Sequence, residues 1–328
     1  MYPERNIYEQ QAYNKRLTVL IMFIFVLFVG LLGFGFDYLY LGTISQHFFF
    51  PVATGAALAV SGGSAFWSLR GGAKAVLTST GAVPADPDNP AHRQLLNVVD
   101  EMSIASGLPR PQVYVIPDPD PNAFATGPDP QHSAVAVTQG LLDSLNRDEL
   151  QGVIAHEMSH IRNYDTRLMT VIAALVGTVL LLADWAARSM GFGRGVRRRG
   201  SRSGGNLGPL LLVIWIIGII LAPILARLMA MAVSRRREYL ADASGAELTR
   251  NPLGLAGALR KIDAAVAPTA SIKRAAAHLC IADPQGKPVN KKEGFVAELF
   301  GTHPPIDKRI MALQAMAYKY AGGSTPQS

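Results

Sequence analysis

The chain has a single cysteine, Cys280, among its 328 residues. One thiol excludes a disulfide framework and a zinc site built from thiolates, and it reads as a small packed hydrophobe. Charge is scarce as well: charged residues make up 17%, hydrophobic residues 49%, and the mean hydropathy is +0.20. That balance is high for a water-soluble enzyme and is what membrane segments produce. The net charge is +7 and the pI is near 9.6. No nucleic-acid-binding motif accompanies this charge, and the arginines cluster beside hydrophobic runs. The partner it indicates is a lipid bilayer and not nucleic acid. Internal repeats are absent too.

What is present is organised by apolar runs. Residues 1–16 form a polar tail ending in Lys15-Arg16. Residues 17–74 form a hairpin of two runs, 17–36 and 48–69, the first about twenty residues without a charge and long enough to cross a bilayer. No small-residue cleavage site follows the first run, so it reads as an uncleaved anchor. Lys and Arg precede the first run and follow the second, with none between, which puts both ends of the hairpin in the cytoplasm. A second pair of runs, 168–187 and 207–230, lies within 167–231 and flanks an arginine-rich loop at 188–202. Two full spans would place that loop outside, against the positive-inside rule, whereas a re-entrant hairpin would keep it inside. The short lengths and Pro209 and Pro223 suit a tilted or kinked pair, giving about four transmembrane helices.

After the first hairpin the composition is that of a soluble domain, and 75–166 and 232–321 read as its two parts, with a disordered tail at 322–328. His92–Ile104 has the pattern of an amphipathic helix stopped by Gly107-Leu108-Pro109. Gln112–Ile116, Asn122–Gly127 and Ala134–Thr138 read as short strands. Asn146 with Glu149 marks a helix start near Arg147, and Leu150, Val153, Ile154, Met158 and Ile161 give that helix an apolar face. Its periodicity runs almost unbroken into the third apolar run. The expected fold is a mainly α polytopic membrane protein with a zincin-like catalytic domain and a small β-sheet.

The same helix carries His156-Glu157-Met158-Ser159-His160. Four residues at about 100° each bring two imidazoles side by side. So placed, His156 and His160 can share one tetrahedral zinc, with Glu157 in reach of the attacking water as general base. A catalytic zinc needs a third protein ligand. A metzincin would place Gly at 163 and His at 166, where this chain has Asn163 and Thr166, so the third ligand is not local. Glu238 is the best candidate, because Asp242 shares its helix face and can hold a ligand histidine's ring N–H. Glu247, Asp165 and His278 are weaker candidates, lacking such a pair. The tetrahedral oxyanion needs a further positive or hydrogen-bonding group, which His303 or Arg309 could supply, although His303 beside two prolines reads equally as a turn residue. The Asn122 stretch is a candidate edge strand for pairing with extended peptide, or an ordinary turn.

Three separated motifs carry a resemblance: His156–His160 continuing as Ile161-Arg162-Asn163-Tyr164-Asp165, then Arg235-Arg236-Arg237-Glu238-Tyr239-Leu240-Ala241-Asp242, then Thr302-His303-Pro304-Pro305. In that order the chain closely resembles the HtpX-like membrane zinc metalloproteases, relatives of the CAAX prenyl endopeptidases. The resemblance implies a zinc-dependent endopeptidase of the bacterial inner membrane, with one zinc per chain and an active site facing the cytoplasm. It implies protein substrates, membrane proteins among them, and a role in membrane-protein quality control. By the same matching Glu238 is the third ligand, Asp242 supports a ligand histidine, and His303 and Arg309 lie near the transition state. Two rivals are a zinc protease for one lipidated or single peptide, and a non-catalytic membrane scaffold. The scaffold is disfavoured by Glu157, which a structural zinc site does not require.

Overall fold

A computed structural model describes residues 7–37, 51–192, 235–265, 271–272, 279–281 and 304–320. The expected fourth apolar run, the arginine-rich loop past residue 192, His278, His303 and the tail lie outside them. In chain order the elements are α1 (Ile7–Phe36), α2 (Val52–Ser79), β1 (Val83–Pro84), α3 (Pro90–Ser106), β2 (Gln112–Ile116), β3 (Ala123–Thr126), β4 (Ala134–Thr138), α4 (Gln139–Ser144), α5 (Arg147–Arg162), α6 (Asp165–Phe192), α7 (Arg235–Thr249), α8 (Pro252–Ala264) and α9 (Ile306–Tyr320). The fold is mostly helical around one small mixed sheet. Among the described residues one stretch, Tyr8–Leu31 in α1, is long and apolar enough to cross a membrane.

The sheet has strand order β1-β2-β4-β3, with β2 and β4 parallel and the outer pairs antiparallel. Successive side chains on a strand point to opposite faces, and both faces are covered. Val113, Val115, Ala123, Ala125, Val135 and Val137 pack with residues of α3, α5, α8 and α9. Tyr114, Ile116, Phe124, Ala134 and Ala136 pack with residues of α1, α2 and α6. The sheet is therefore a plate between two helical layers, α3, α5, α8 and α9 on one face and α1, α2 and α6 on the other, which is why β3 and β4 are buried at every position. Cys280 is buried in the second of these layers, with α1, α2 and α6, as a packed hydrophobe.

Local signals account for several boundaries. Asn89 caps α3 by accepting from Ala91 and His92 N–H, and Gly107, at φ 67°, ends it in the left-handed region that glycine adopts without strain. Asn146 and Glu149 close a full capping box on α5. The buried carboxylate of Asp37, just past α1, accepts from Thr54 N–H at 2.6 Å and Thr54 Oγ1 at 2.7 Å, placing negative charge at the N-terminus of α2. The expected near-continuous passage from α5 into the third run is a break. The helix ends at Asn163, Tyr164 takes φ 59°, and α6 restarts at Asp165. Lys15 of α1 sits over the Tyr164 ring at 4.0 Å, so a tertiary contact accompanies this sparsely populated backbone conformation.

Candidate metal centre

The centre forms where α5 and α7 cross. A Cβ on Gly245 would lie 3.0 Å from the His156 backbone nitrogen, so glycine permits this close approach. Glu238, Asp242 and Gly245 fall at i, i+4 and i+7, one face of α7, and that face meets the His156 turn of α5. The result is a group of His156, His160 and Glu238, all buried, with one potential ligand atom from each lying within 4.8 Å of the others. Glu238 oxygens stand 3.8 Å from His156 Nε2 and 3.7 Å from His160 Nε2. Of the candidates for a third member, the structure brings Glu238 into this group.

Each histidine has its other ring nitrogen directed at a carboxylate. His156 Nδ1 is 3.0 Å from Asp242 Oδ1, and His160 Nδ1 is 3.0 Å from Asp165 Oδ2. Such partners put the proton on Nδ1 and leave Nε2 as the metal-facing atom. The two Nε2 atoms face one another at 3.2 Å. Two nitrogens bound tetrahedrally to zinc at about 2.0–2.1 Å would lie about 3.3–3.4 Å apart, so the spacing fits. Charge fits as well. The buried carboxylates of Glu157, Glu238, Asp242 and Asp165 outnumber the buried guanidiniums of Arg309 and Arg237, which suits a cation.

The surroundings tune each group differently. Burial, with Glu238 adding repulsion, pushes the Glu157 carboxyl up to about 7. The Ala125 backbone N–H hydrogen-bonds its charged form and works in the opposite direction. Burial lowers His156. At His160 the cost of burial is outweighed by the Asp165 hydrogen bond and by the charges of Glu238, Asp165 and Glu157, raising it to about 9. Asp242 is lowered to about 2 despite burial, because Arg309 neutralises it.

Arg309, on α9, is wholly buried. It donates from Nε and Nη2 to the two Asp242 oxygens at 2.8 and 2.7 Å, a bidentate pair, and from Nη1 to the Ile281 carbonyl at 3.0 Å. Its Nη1 is also 3.6 Å from Glu238. Asn122 is buried beside β3, and its backbone pairs inward with Thr138 of β4. The outward edge of β3 is presented instead by Ala123, whose carbonyl accepts from Ile281 N–H at 2.9 Å, and by Ala125. Three participants take roles that the motifs do not show: Gly245, the Ala125 N–H, and Asp165, which stands in the first motif and serves as the partner of His160. The last two follow from the return of β3 and α6 to α5. Gly245 was readable as the i+7 position behind Glu238.

Comparison with known proteins shows what the chain is similar to. The model of peptidase family M48 matches residues 90–317. A relative described as a Protease HtpX homolog, from Caldanaerobacter subterraneus subsp. tengcongensis, is 44% identical over 317 residues, covering 95% of this chain and 99% of the relative. Another of that description, from Ligilactobacillus salivarius, is 43% identical over 312 residues, covering 94% of this chain and 100% of the relative. Among solved structures, the crystal structure of S. mikatae Ste24p is similar at a TM-score of 0.46 and 16% identity, covering 92% of this chain and 66% of that one.

Proposed function

The chain belongs to peptidase family M48, among the HtpX-like membrane proteases, and from that premise we propose that it is a zinc-dependent endopeptidase. The observation that carries the reading is the convergence of His156, His160 and Glu238 beside a buried Glu157 whose carboxyl is raised to about 7. We assign His156, His160 and Glu238 as the ligands of one zinc per chain. When bound, zinc supplies Lewis-acid polarisation of the scissile carbonyl and a water acidic enough to attack near neutral pH. Glu157 takes the proton from the attacking water and returns it to the leaving amine; a carboxyl near 7 is poised for both transfers. Asp242 and Asp165 hold the two imidazoles. Arg309 holds Asp242 and, with His303, lends positive charge to the developing oxyanion. Asn122, named for substrate binding from the sequence, has its backbone paired inward, and the neighbouring edge at Ala123 is taken by Ile281, so substrate pairing along this edge requires residues 280–281 to give way.

The catalytic domain is assembled from 75–166 and 232–321, with four spans in the bacterial inner membrane and the site on the cytoplasmic side. The substrates are membrane or misfolded proteins, and the role is membrane-protein quality control. Cleavage of a membrane-protein substrate by purified full-length enzyme tests this, with zinc, with chelator and as Glu157→Gln. Zinc should be required, and Glu157→Gln should keep stoichiometric zinc while losing almost all proteolysis. Activity of that variant within a few-fold of native, or undiminished cleavage in chelator, would sink the assignment.

A further inference from the structure

The polar start of α1 caps the end of the ligand helix from outside. A helix leaves its last carbonyls without intrahelical partners, and α5 ends just two residues after His160. Gln11 Nε2 donates to Arg162 O at 2.8 Å, and Asn14 Nδ2 donates to Asn163 O at 2.9 Å. The second Asn14 amide hydrogen serves a different group, Asp165 Oδ1, at 2.6 Å. The other Asp165 oxygen faces His160 Nδ1 at 3.0 Å. Asn14 is itself wholly buried, and its Oδ1 accepts from Gln10 Nε2 at 3.3 Å. An unbroken chain of contacts therefore runs from the anchor helix through one carboxylate to an imidazole.

We propose that Asn14 is a positioning residue for His160, which makes the first membrane helix part of the metal centre. Asp165 must present one oxygen to the ring N–H, and Asn14 fixes which one by holding the other. The competing pull is Arg237, whose Nη1 lies 3.5 Å from the same Oδ1 that Asn14 holds. Without Asn14 the carboxylate turns towards Arg237, the ring N–H loses its acceptor, and Nε2 loses its fixed aim. The inference rests on the reading of His160 as a zinc ligand.

Zinc affinity of the full chain in detergent micelles, by competition with a chromophoric chelator, tests it. Asp165→Asn should weaken zinc about 10–100-fold, as loss of a ligand histidine's partner does. Asn14→Ala, one step further out, should weaken it towards the lower end of that range, about tenfold. Gln11→Ala removes the neighbouring cap bond but not the Asp165 contact and should stay within about twofold, a change under about 0.5 kcal/mol. The double variant Asn14→Ala/Asp165→Asn should bind no more weakly than Asp165→Asn alone, since both act through one carboxylate. The visible spectrum of the cobalt-substituted chain should change for Asn14→Ala and not for Gln11→Ala. If Asn14→Ala does not fold, Asn14→Leu keeps the size and removes the donor, and it should show the same loss. Unchanged affinity in the folded Asn14 variant, an equal loss in Gln11→Ala, or additive losses in the double variant would overturn the proposal. A native chain that binds no zinc would instead overturn the ligand assignment beneath it.

Discussion

At His156 the nitrogen turned away from Glu238 faces Asp242, which the guanidinium of Arg309 clamps with two hydrogen bonds. At His160 the same position is taken by Asp165, held by the Asn14 amide, with Arg237 at 3.5 Å. The first shoulder is made of α7 and α9, from the C-terminal part of the chain. The second is made of α6 and α1, from earlier in the chain. At His156 burial, with the charges of His160 and Arg309, outweighs the pull of Asp242, and the group is lowered; at His160 burial is outweighed by the Asp165 hydrogen bond and the charges of Glu238, Asp165 and Glu157, and it rises to about 9. Two histidines four residues apart thus reach the same orientation with opposite electrostatics.

The largest effect is expected from breaking the clamp. Arg309→Ala leaves Asp242 buried without the guanidinium that clamps both its oxygens, and breaking such a buried pair costs about 3–5 kcal/mol. On the other shoulder Arg237→Ala should cost less, because Asp165 keeps the Asn14 amide and His160. Thermal unfolding of the chelator-treated chain measures both, and equal losses would erase the distinction between the shoulders.

Next come the carboxylates themselves. Asp242→Asn and Asp165→Asn should each weaken zinc about 10–100-fold in a competition titration, as partners of ligand histidines do. Glu238→Ala should abolish zinc retention on dialysis; retention of full zinc would mean that another residue is the ligand.

A different pH window for each shoulder is the third expectation. His160 is raised from 6.5 to about 9, so its contribution to the chelator-treated fold is complete below pH 6.5 and is lost as pH rises through 9. Asp242 is lowered from 3.8 to about 2, so its contribution is complete above pH 3.8 and is lost as pH falls through 2. Glu157, raised from 4.5 to about 7, belongs to neither shoulder and adds to the alkaline loss between those values. Zinc must displace the His160 proton, so zinc affinity should climb about tenfold per pH unit between 7 and 9. Asp165→Asn should flatten that climb. A native affinity independent of pH across this range would contradict the assignment of the proton to His160.

The two shoulders were not equally legible in the sequence. Asp242 is visible because it stands one turn after Glu238, and helical spacing is a local rule. Asp165 stands five residues after His160, a spacing that on a continuous helix points the side chain elsewhere. Its role depends on the break at Tyr164, which has no glycine or proline to announce it and is accompanied by contacts from Asn14 and Lys15, some 150 residues earlier in the chain. Strands β2 and β4 match the expected Gln112–Ile116 and Ala134–Thr138 because short β-branched runs between turn residues are local signals too. The two-residue β1 at Val83–Pro84 exists only because β2 pairs with it. Arg309 could be picked out as a cation near the chemistry, but its grip on Asp242 depends on the packing of α9 against α7.

The smallest effect separates buried pairing from charge in general. Arg147, at the start of α5, pairs with Glu101 of α3, and both side chains are largely exposed, at 51% and 40%. The residue types are those of the Arg309 clamp, and the helix is the one that bears the ligands. Water and salt screen such a pair, so Glu101→Gln should cost under about 1 kcal/mol and still less in high salt. Its zinc affinity should match native within error, because Arg147 lies at the far end of α5 from His156 and His160. If Glu101→Gln weakened zinc as Asp242→Asn does, the ligand helix would be responding to charge anywhere along it. The two shoulders would then owe their effect to net charge and not to the aim of particular oxygens at Nδ1.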